Sequence, residues 1–559
     1  MTIPPISRRR FIKTVAVGTA AVASVSLLTG CSSAHFLHGV ASGDPRQDRV
    51  VIWTRITPTR KNSHEESVAW VVATDAACKR VVGAGLEKTD ASRDYTIKLD
   101  VTGLEPGQTY YYCFYSQDNR SPIGRMRTLP AGDVSQFNMA VLSCSNFPAG
   151  YFHVYGEIAA RDDLDAVLHL GDYLYEYDAD GYASEDAVAM GRVVSPANEL
   201  LTLTDYRTRY AQYRSDPKLQ AAHRQHSFIC VWDDHEVTND TWREGAENHN
   251  PGEGDFQTRK AHAIQAYYEW IPVREPEGGD RTTIYRQFRI GNLLDLYMLD
   301  TRLLGRDEQL DYADYFTSAG FDAAAFQADL TDPNRTLLGL EQRDWLQAQM
   351  AESSATWQVL GQQVLMGRMN LPAPIATQQV SFSQYQQLAY LAQTNPGALT
   401  PQQWAILQAP AIPYNLDAWD GYFVEREIVL ETARSLDKNL VVLAGDTHNA
   451  WASNLQTITG VNVGVELATS SVSSPGLETY FPNENPDALA AGVMQIIEPL
   501  QYANLQHRGY LVVRFSADEC RGEFRYVSTV KSEIYENLDA YARDVKTLAG
   551  AGNRIIVEI

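Results

Sequence analysis

The sequence predicts an α+β protein: an N-terminal β-sandwich domain at residues 36–130, followed by an αββα sandwich of two packed sheets at residues 136–530. At 559 residues the chain is too long for one ordinary hydrophobic core. Residues 36–130 contain only strand-like and turn-like segments, whereas strand-like and helical segments alternate from Phe137 onward. Hydrophobic residues at 44% and charged residues at 21% are typical of a globular protein.

The first 35 residues have the pattern of an export signal. Ser7 to Lys13 reads SRRRFIK and fits the twin-arginine signal, and an apolar stretch from Thr14 to Leu28 follows it. That stretch is too short for a stable membrane span. It ends in LTGC, which resembles the lipobox at which a bacterial lipoprotein is cleaved and lipidated, here on Cys31. We expect a periplasmic or cell-surface lipoprotein that contacts the membrane through its lipid anchor only; the alternative is an uncleaved amphipathic anchor with a buried Cys31.

The charge balance is strongly acidic. The chain has 69 Asp and Glu residues against 47 Lys and Arg, a net charge of −22 at pH 7. Such a chain should repel nucleic acid and anionic lipid headgroups, so we expect no nucleic-acid binding. Any phosphate chemistry must then depend on bound cations rather than on a basic patch.

Cysteine is sparse in this sequence. Besides Cys31 there are five cysteines: Cys78, Cys113, Cys144, Cys230 and Cys520. An odd number in an oxidising compartment implies that at least one thiol is unpaired or binds a metal. Cys78 and Cys113 both lie in the N-terminal domain and could form a disulfide, whereas Cys230 lies within a strand and is expected in the core.

The N-terminal domain carries a recognisable corner. Leu104, Pro106, Thr109 and Tyr110 in GLEPGQTYYY resemble the corner of a fibronectin type III-like sandwich, where a tyrosine hydroxyl ties the last strands together. We therefore predict a fibronectin type III-like β-sandwich with Trp53 in its core. A carbohydrate-binding role is the alternative, although no exposed row of aromatic residues is evident.

The second domain is predicted from its periodicity. FQTRKAHAIQAYYEW and LGLEQRDWLQAQMAE have helical spacing. Polar, glycine-containing loops at residues 178–196 and 242–256 are expected to form the walls of a site. A helical tail is expected at residues 531–559. The predicted strands are FNMAVLSCS, AVLHL, SFICVW, LLDLYML, WQVLG, NLVVLA, VNVGVELA, YLVVRFS and RGEFRYVS.

Three short motifs directly follow three of these strands. Asp172 lies in GDYLY after AVLHL, Asp234 and His235 in WDDHE after SFICVW, and Asp446 and His448 in GDTH after NLVVLA. Carboxylate and imidazole groups at the carboxyl ends of neighbouring strands can hold two metal ions close together. A single Gly-Asp pair is weak evidence for a metal site, because Gly-Asp is common in turns. The ordered set of three predicts a metal-dependent hydrolase, and a phosphatase in particular.

The order of these motifs resembles the D, GDxxY, GNH[DE] and GHxH pattern of calcineurin-like metallophosphatases and purple acid phosphatases. The chain departs from it: Cys144 stands for the first Asp, Asp234 for the Asn and Asp446 for the first His of GHxH, while Gln362 and Gln363 occupy the region of a lone His ligand. Together with GDYLYEY, WDDHEVTND and HGVASGDP, these departures look like the PhoD-type alkaline phosphatase family. The resemblance covers nearly the whole mature chain and implies the metallophosphatase αββα fold.

One predicted metal site has an anionic, mixed set of ligands. Cys144 thiolate, Asp172 carboxylate, Tyr175 phenolate and His448 imidazole suit a small, highly charged ion such as ferric iron. Taken alone, Cys144 would more often be an inert buried thiol. Its position in the ordered set of motifs favours the ligand role.

The second predicted site has oxygen donors only. Asp172 as a bridge, Asp234, Asp446 and Asn239 or a neighbour would supply them, and oxygen-only coordination favours calcium over zinc. The resemblance implies the same metals, one Fe³⁺ and two Ca²⁺. Asp233 is expected to be a supporting or capping carboxylate rather than a direct ligand.

The catalytic roles follow from this cluster. The metal pair would lower the pKa of a bound water so that hydroxide attacks phosphorus in line, with Asp172 at the centre. His235 is placed like the His of GNH[DE] and would stabilise phosphoryl charge or protonate the leaving group. Arg302 in LDTR would either contact phosphate or form a salt bridge that shapes the site, and the structural role is favoured. The histidines at 169, 223, 226 and 262 are expected to be structural.

The expected function is that of an exported, metal-dependent alkaline phosphatase and phosphodiesterase, acting as a monomer on extracytoplasmic esters by attack of a metal-bound hydroxide. Small phosphate esters are the expected substrates, with phospholipid or nucleotide diesters as further candidates. One alternative is a phospholipase D-like diesterase of the same family. The other is a non-catalytic surface lipoprotein that binds glycans.

Overall fold

The computed structural model describes residues 35–58, 65–117, 119–318, 320–377 and 379–559. The predicted twin-arginine motif and Cys31 lie outside these ranges. None of the helices within them has the length and hydrophobicity that a membrane span requires.

Among the described residues, the largest element is a ten-stranded mixed sheet. Four consecutive strands of this sheet are parallel, with Val141 opposite Leu168, Val167 opposite Phe228 and Ser42 opposite Ser227. In spatial order the strands are Val557–Glu558, Arg543–Leu548, Glu519–Val527, Arg508–Ser516, Gln136–Leu142, Ala166–His169, Ser227–Cys230, Val40–Gly43, Arg49–Arg55 and Thr96–Thr102.

A second mixed sheet has seven described strands. Its four inner strands are parallel, with Leu296 opposite Val359 and Val441 opposite Val465. In spatial order the strands are Arg286–Ile290, Leu294–Met298, Trp357–Gly361, Leu440–Ala444, Asn462–Ala468, Ala450–Gln456 and Leu500–Asn504. Two short antiparallel strand pairs lie apart from it, Phe316–Thr317 with Gly320–Phe321 and Asn370–Pro372 with Ala411–Pro413.

The two large sheets pack face to face over a shared core. Val141 and Val167 from one sheet and Val359 and Val441 from the other belong to a single buried cluster. Helices cover the outer faces, so the layers follow the order helix, sheet, sheet, helix. The expected α+β class is confirmed.

The α-helices among the described residues are His153–Ala159, Ala187–Met190, Leu203–Tyr213, Pro217–Gln225, Phe256–Trp270, Ala323–Leu330, Leu340–Glu352, Ala373–Ala376, Phe382–Thr394, Pro401–Leu407, Phe423–Ser435 and Pro486–Ile496.

Local sequence explains where the predicted helices begin. The helix Phe256–Trp270 starts after Asp255, whose carboxylate accepts the N–H of Thr258 at 2.8 Å. The second predicted helix begins at Leu340, after Gly339, and buries Leu346 under the seven-stranded sheet.

Part of the N-terminal region, predicted as a β-sandwich domain, is continuous with the sheet of the larger domain. Strands Arg49–Arg55 and Thr96–Thr102 continue the ten-stranded sheet, because Val40–Gly43 pairs with the strand Ser227–Cys230. Pairing with the larger domain satisfies an edge that a free sandwich would expose. A smaller sheet packs over these strands and completes their apolar core. Its strands are Val81–Thr89, Glu66–Ala73, Thr109–Ser116, Asn119–Arg120 and Gly124–Arg127.

Two expected local features of this region are present. The Tyr110 hydroxyl accepts the N–H of Glu105 at 2.9 Å, which is the corner contact predicted from GLEPGQTYYY. Trp53 is fully buried, and its indole N–H donates to the carbonyl of Glu269 at 2.8 Å. The Trp53 contact ties the N-terminal strands to a helix of the larger domain.

The predicted helical tail at residues 531–559 is wrong. This segment, all of it described, contains no helix, and Arg543–Leu548 is instead a strand beside Glu519–Val527. Its burial alternates, with Val545 and Thr547 turned inward. An alternating pattern places one face of a strand on a core, and here it extends the sheet.

Candidate metal centre

The predicted site lies where strands of both sheets end. Cys144, Asp172 and Asp234 follow three neighbouring parallel strands of the ten-stranded sheet. Asp446 and His448 follow a central strand of the facing sheet. The carboxyl ends of parallel strands are the usual place for a site in such folds. Face-to-face packing therefore brings the motifs together.

The loops that carry these residues have an uncommon backbone. Cys144, Asp172, Asp446 and His448 adopt positive φ angles of 61°, 53°, 63° and 63°. Residues other than glycine rarely adopt this left-handed conformation, and it concentrates at functional sites where the surroundings hold it. Four predicted ligands share it here.

Two glycines allow the loops to approach each other closely. A Cβ on Gly171, whose φ is 103°, would lie 2.4 Å from the Cβ of Asp233. A Cβ on Gly445 would lie 2.6 Å from the Ser143 hydroxyl. The Gly-Asp pair in GDYLY and GDTH therefore reflects close packing of loops as well as turn geometry.

The predicted iron ligands converge. One ligand atom each from Cys144, Asp172 and His448 lies within 4.8 Å of the others. The Tyr175 hydroxyl is 3.0 Å from Asp172 Oδ2 and 3.0 Å from His448 Nε2, and it accepts from Ser474 Oγ at 2.7 Å. Thiol, carboxyl, phenol and imidazole thus surround one point.

Two further clusters continue from the first: the second shares Asp172 with it, and the third shares Asp234 with the second. Ligand atoms of Asp172, Asp234 and His235 lie within 4.8 Å of one another, as do those of Asp233, Asp234 and Asp446. Asp172 Oδ1 and Asp233 Oδ2 are buried without a hydrogen-bond partner among the described residues. Because a buried, unpartnered carboxylate oxygen is costly, both atoms fit a bound cation.

Burial controls the protonation of these groups. It raises the pKa of the Cys144 thiol well above its usual range, and the Asp172 carboxylate adds to the effect. Burial likewise raises the pKa of Asp172 and of Asp446. A multivalent cation would favour the ionised forms. Burial lowers the pKa of His448 to about 3, and Nδ1 of the neutral ring donates to Pro475 O at 2.6 Å, which leaves Nε2 free as a ligand atom.

Both loops predicted as walls reach the site. Tyr182, from the first loop, has its hydroxyl 3.3 Å from His448 Nδ1. Trp242, from the second, lines a cavity of about 890 Å³ together with Asp240 and Asp417. That cavity adjoins the carboxylate clusters, because Asp240 contacts Asp234 and Asp417 contacts Arg302.

Comparison with known proteins identifies the family. Residues 139–524 match the family model described as PhoD-like phosphatase, and residues 21–130 match its N-terminal domain. The chain belongs to the PhoD-like phosphatase family. This confirms the expectation of a phosphoric ester hydrolase, and it leaves the glycan-binding alternative without support.

Two relatives show how far the similarity to other PhoD-like phosphatases extends. Alkaline phosphatase D of Bacillus subtilis (strain 168) is 35% identical over 522 residues, which cover 89% of this chain and 79% of that protein. A solved structure titled "Structure of PhoD" superposes with a TM-score of 0.76 at 30% identity and covers 95% of this chain and 93% of the other.

Arg302 lies among the carboxylates of the candidate metal centre in this PhoD-like phosphatase. Its Nε is 2.5 Å from Asp233, Nη1 is 2.7 Å from Asp417 and Nη2 is 3.0 Å from Asp446. The side chain is fully buried. These contacts favour the salt-bridging role for Arg302. Asp417 was missed from sequence because it follows only the short strand Ala411–Pro413, which was not predicted, and lies in no recognisable motif.

The predicted ligand Asn239 lies in the loop after WDDHE. Its backbone N–H donates to Glu176 at 2.9 Å and its side-chain amide to Glu247 at 3.2 Å. Its neighbour Asp240 contacts the cluster through its N–H, which donates to Asp234 Oδ2 at 2.6 Å. The prediction of Asn239 or a neighbour therefore stays open between these two residues.

Glu236 is a functional residue whose role the sequence did not reveal. Its carboxylate accepts the N–H groups of Asp172, Tyr173 and Asp233 at 3.0, 2.6 and 2.7 Å. One buried side chain thereby joins the GDYLY and WDDHE loops. The only available signal was its place next to His235.

The residues predicted to be structural have structural contacts. His169, His223 and His226 are buried and bonded through Nε2 to Tyr155, Tyr173 and the carbonyl of Ile158. Gln363 bonds Thr301 and the Trp232 carbonyl within the core.

Cys78 and Cys113 lie in one small buried cluster of the N-terminal sheet, both as free thiols. The disulfide that these two cysteines could form is not formed here.

Proposed function

We propose that this phosphatase is an exported, lipid-anchored enzyme that hydrolyses phosphate monoesters and diesters with one ferric and two calcium ions. The observation that carries the proposal is the position of Asp172. It belongs to the cluster with Cys144 and His448 and also to the cluster with Asp234 and His235. A carboxylate shared in this way can bridge two metal ions.

The donor sets support different metals. Cys144, Asp172, Tyr175 and His448 would hold Fe³⁺, because thiolate and phenolate stabilise a highly charged ion. The second set is rich in oxygen, which suits Ca²⁺. It comprises Asp172, Asp234 and Asp446, with Asn239 or Asp240 beside them. Asp233, expected to be a supporting carboxylate, is added to the set because its Oδ2 is buried without a partner among the described residues.

The protein groups contribute charge balance and orientation. When bound, the metal ions would supply Lewis-acid chemistry, lowering the pKa of the attacking water and neutralising phosphoryl oxygens. Arg302 offsets the charge of Asp233, Asp417 and Asp446. Asp234, Glu176 and Asp172 raise the pKa of His235 well above its usual value although burial opposes this, so His235 can donate a proton to the leaving group.

Calcium dependence tests this assignment. The purified protein should hydrolyse p-nitrophenyl phosphate and bis-p-nitrophenyl phosphate, EGTA should reduce both activities to background, and added calcium should restore them. The expectation follows from hard oxygen ligands, which exchange calcium more readily than the mixed set exchanges ferric iron. Zinc restoring activity better than calcium would count against the assignment.

An apolar cavity supports phospholipid diesters as a second candidate substrate. Its volume is about 460 Å³, and Phe316, Phe321, Phe326 and Phe423 line it. Tyr312 lines both this cavity and the acidic one beside the metal centre. The same assay with phospholipid micelles decides between the candidates: hydrolysis of soluble esters alone would restrict the enzyme to small substrates.

Export and anchoring follow from the N-terminal pattern. The protein in the membrane fraction should begin at an acylated Cys31, which mass spectrometry of the N-terminal peptide can detect. Replacing Arg8 and Arg9 by Lys should retain the precursor in the cytoplasm. Cys31→Ser, with the twin-arginine motif intact, is the matched control and should lose the lipid. An intact Met1 on exported protein would contradict the proposal.

A further inference from the structure

Glu176, in GDYLYEY, has two oxygens with different partners. The side chain is fully buried. Oε1 accepts from Thr238 Oγ1 at 3.0 Å, from the N–H of Asn239 at 2.9 Å and from Asn248 Nδ2 at 3.0 Å. Oε2 is 2.7 Å from Nδ1 of His235. One oxygen therefore holds a loop, and the other contacts the imidazole.

The ring of His235 has little freedom. Its centroid lies 4.1 Å from that of Tyr175 at an interplanar angle of 33°, and 5.4 Å from that of Tyr177. Because Nδ1 is bonded to Glu176, Nε2 is the nitrogen available to the carboxylates of Asp172 and Asp234. The ring thus directs one nitrogen into the centre.

We infer that Glu176 is a positioning residue for His235. It accepts the Nδ1 proton and fixes the ring so that Nε2 faces the leaving-group oxygen of a bound ester. As the P–O bond breaks, the Nε2 proton moves to that oxygen, and Glu176 keeps its contact with Nδ1–H. The proton released by the attacking water recharges the imidazole. This inference rests on the proposed role of His235 in hydrolysis.

Glu176→Gln tests the contact between Glu176 and His235, because glutamine fills the same space as glutamate. The glutamine carbonyl would replace Oε1, where three donors require an acceptor, so its NH₂ group would face Nδ1. Nδ1 must then accept a hydrogen bond instead of donating one, so the ring loses the Nδ1 proton that Glu176 held in place. The measurement is kcat and KM for phosphate monoesters whose leaving groups range from p-nitrophenol to phenol and simple alcohols, with metal content determined on each sample.

The expected result depends on the leaving group. kcat should fall about 100-fold for phenyl and alkyl phosphates and less than about 10-fold for p-nitrophenyl phosphate, which needs little proton transfer, with KM and metal content unchanged. Thr238→Val is the matched control, because it removes a donor from Oε1 and leaves the His235 contact. It should keep the leaving-group dependence of the wild type.

Other outcomes have definite meanings. An equal loss for every leaving group, or loss of metal with loss of activity, would make Glu176 a structural residue and overturn the inference. In a His235→Asn background Glu176→Gln should add no further leaving-group dependence. If the Glu176→Gln variant does not fold, Glu176→Asp is measured with the same series of leaving groups. Aspartate keeps the charge, but its shorter side chain moves the carboxylate oxygen away from Nδ1 of His235. A wild type that hydrolyses none of the esters refutes the proposed function instead.

Discussion

Cys144→Ala is expected to remove the iron, the visible absorbance and the catalytic activity together. The thiol is buried in a cluster with the buried Asp172 and the half-buried His448, beside the phenol of Tyr175. If thiolate and phenolate bind ferric iron, both should colour the protein by charge transfer, and losing the thiolate removes the softest and most strongly donating ligand. Metal analysis, the absorption spectrum and p-nitrophenyl phosphate hydrolysis measure the three losses.

A buried structural thiol would behave differently, and the chain provides a matched control. Cys230 is also buried and belongs to the apolar core, in the same sheet but two strands away from the strand that Cys144 follows. Cys230→Ala should cost about 1 kcal/mol of unfolding free energy through lost packing, with iron and turnover retained. Full iron content and full activity in Cys144→Ala would show that Cys144 is a thiol of the same kind.

The candidate ligands could be predicted from sequence because each follows an apolar strand within a short motif. Strand ends are local features, and parallel strands deliver their following residues to the same edge. Cys144, Asp172, Asp234 and the GDTH pair were found in this way, and the structure brings them together. The fold class could be predicted for the same reason, because apolar strands and helical spacing are also local patterns in the sequence.

Features that depend on distant parts of the chain could not be predicted. Asp417 meets Arg302 across 115 residues, and no local pattern marks that contact. The strand Val81–Thr89 was not predicted, because glycines weaken a strand pattern; a Cβ on Gly85 would lie 2.7 Å from the indole nitrogen of Trp70. Continuity of the N-terminal strands with the larger sheet is likewise a tertiary outcome.

Arg302→Met is expected to lower the free energy of unfolding of metal-depleted protein by about 3–5 kcal/mol, the usual cost of removing one partner of a buried ion pair. Arg302 is fully buried, and its guanidinium contacts Asp233, Asp417 and Asp446. Without the cation, these carboxylates repel one another in a medium that solvates charge poorly. Urea denaturation with and without added calcium measures the effect, and calcium should recover part of the loss because it supplies positive charge to the same oxygens.

Arg434→Met provides the control, since Arg434 pairs with Glu431 at a surface where both side chains are more than two-fifths exposed, and an exposed pair contributes less than about 1 kcal/mol.

The kinetics of Arg302→Met also separate its two predicted roles. Nε, Nη1 and Nη2 of Arg302 each already donate to a carboxylate. Three carboxylates hold the guanidinium, which cannot turn towards a phosphate without breaking one of these contacts, so calcium-loaded Arg302→Met should keep the KM of the wild type. A large rise in KM with unchanged stability would instead identify Arg302 as the phosphate contact, with its carboxylate partners released to the metal ions.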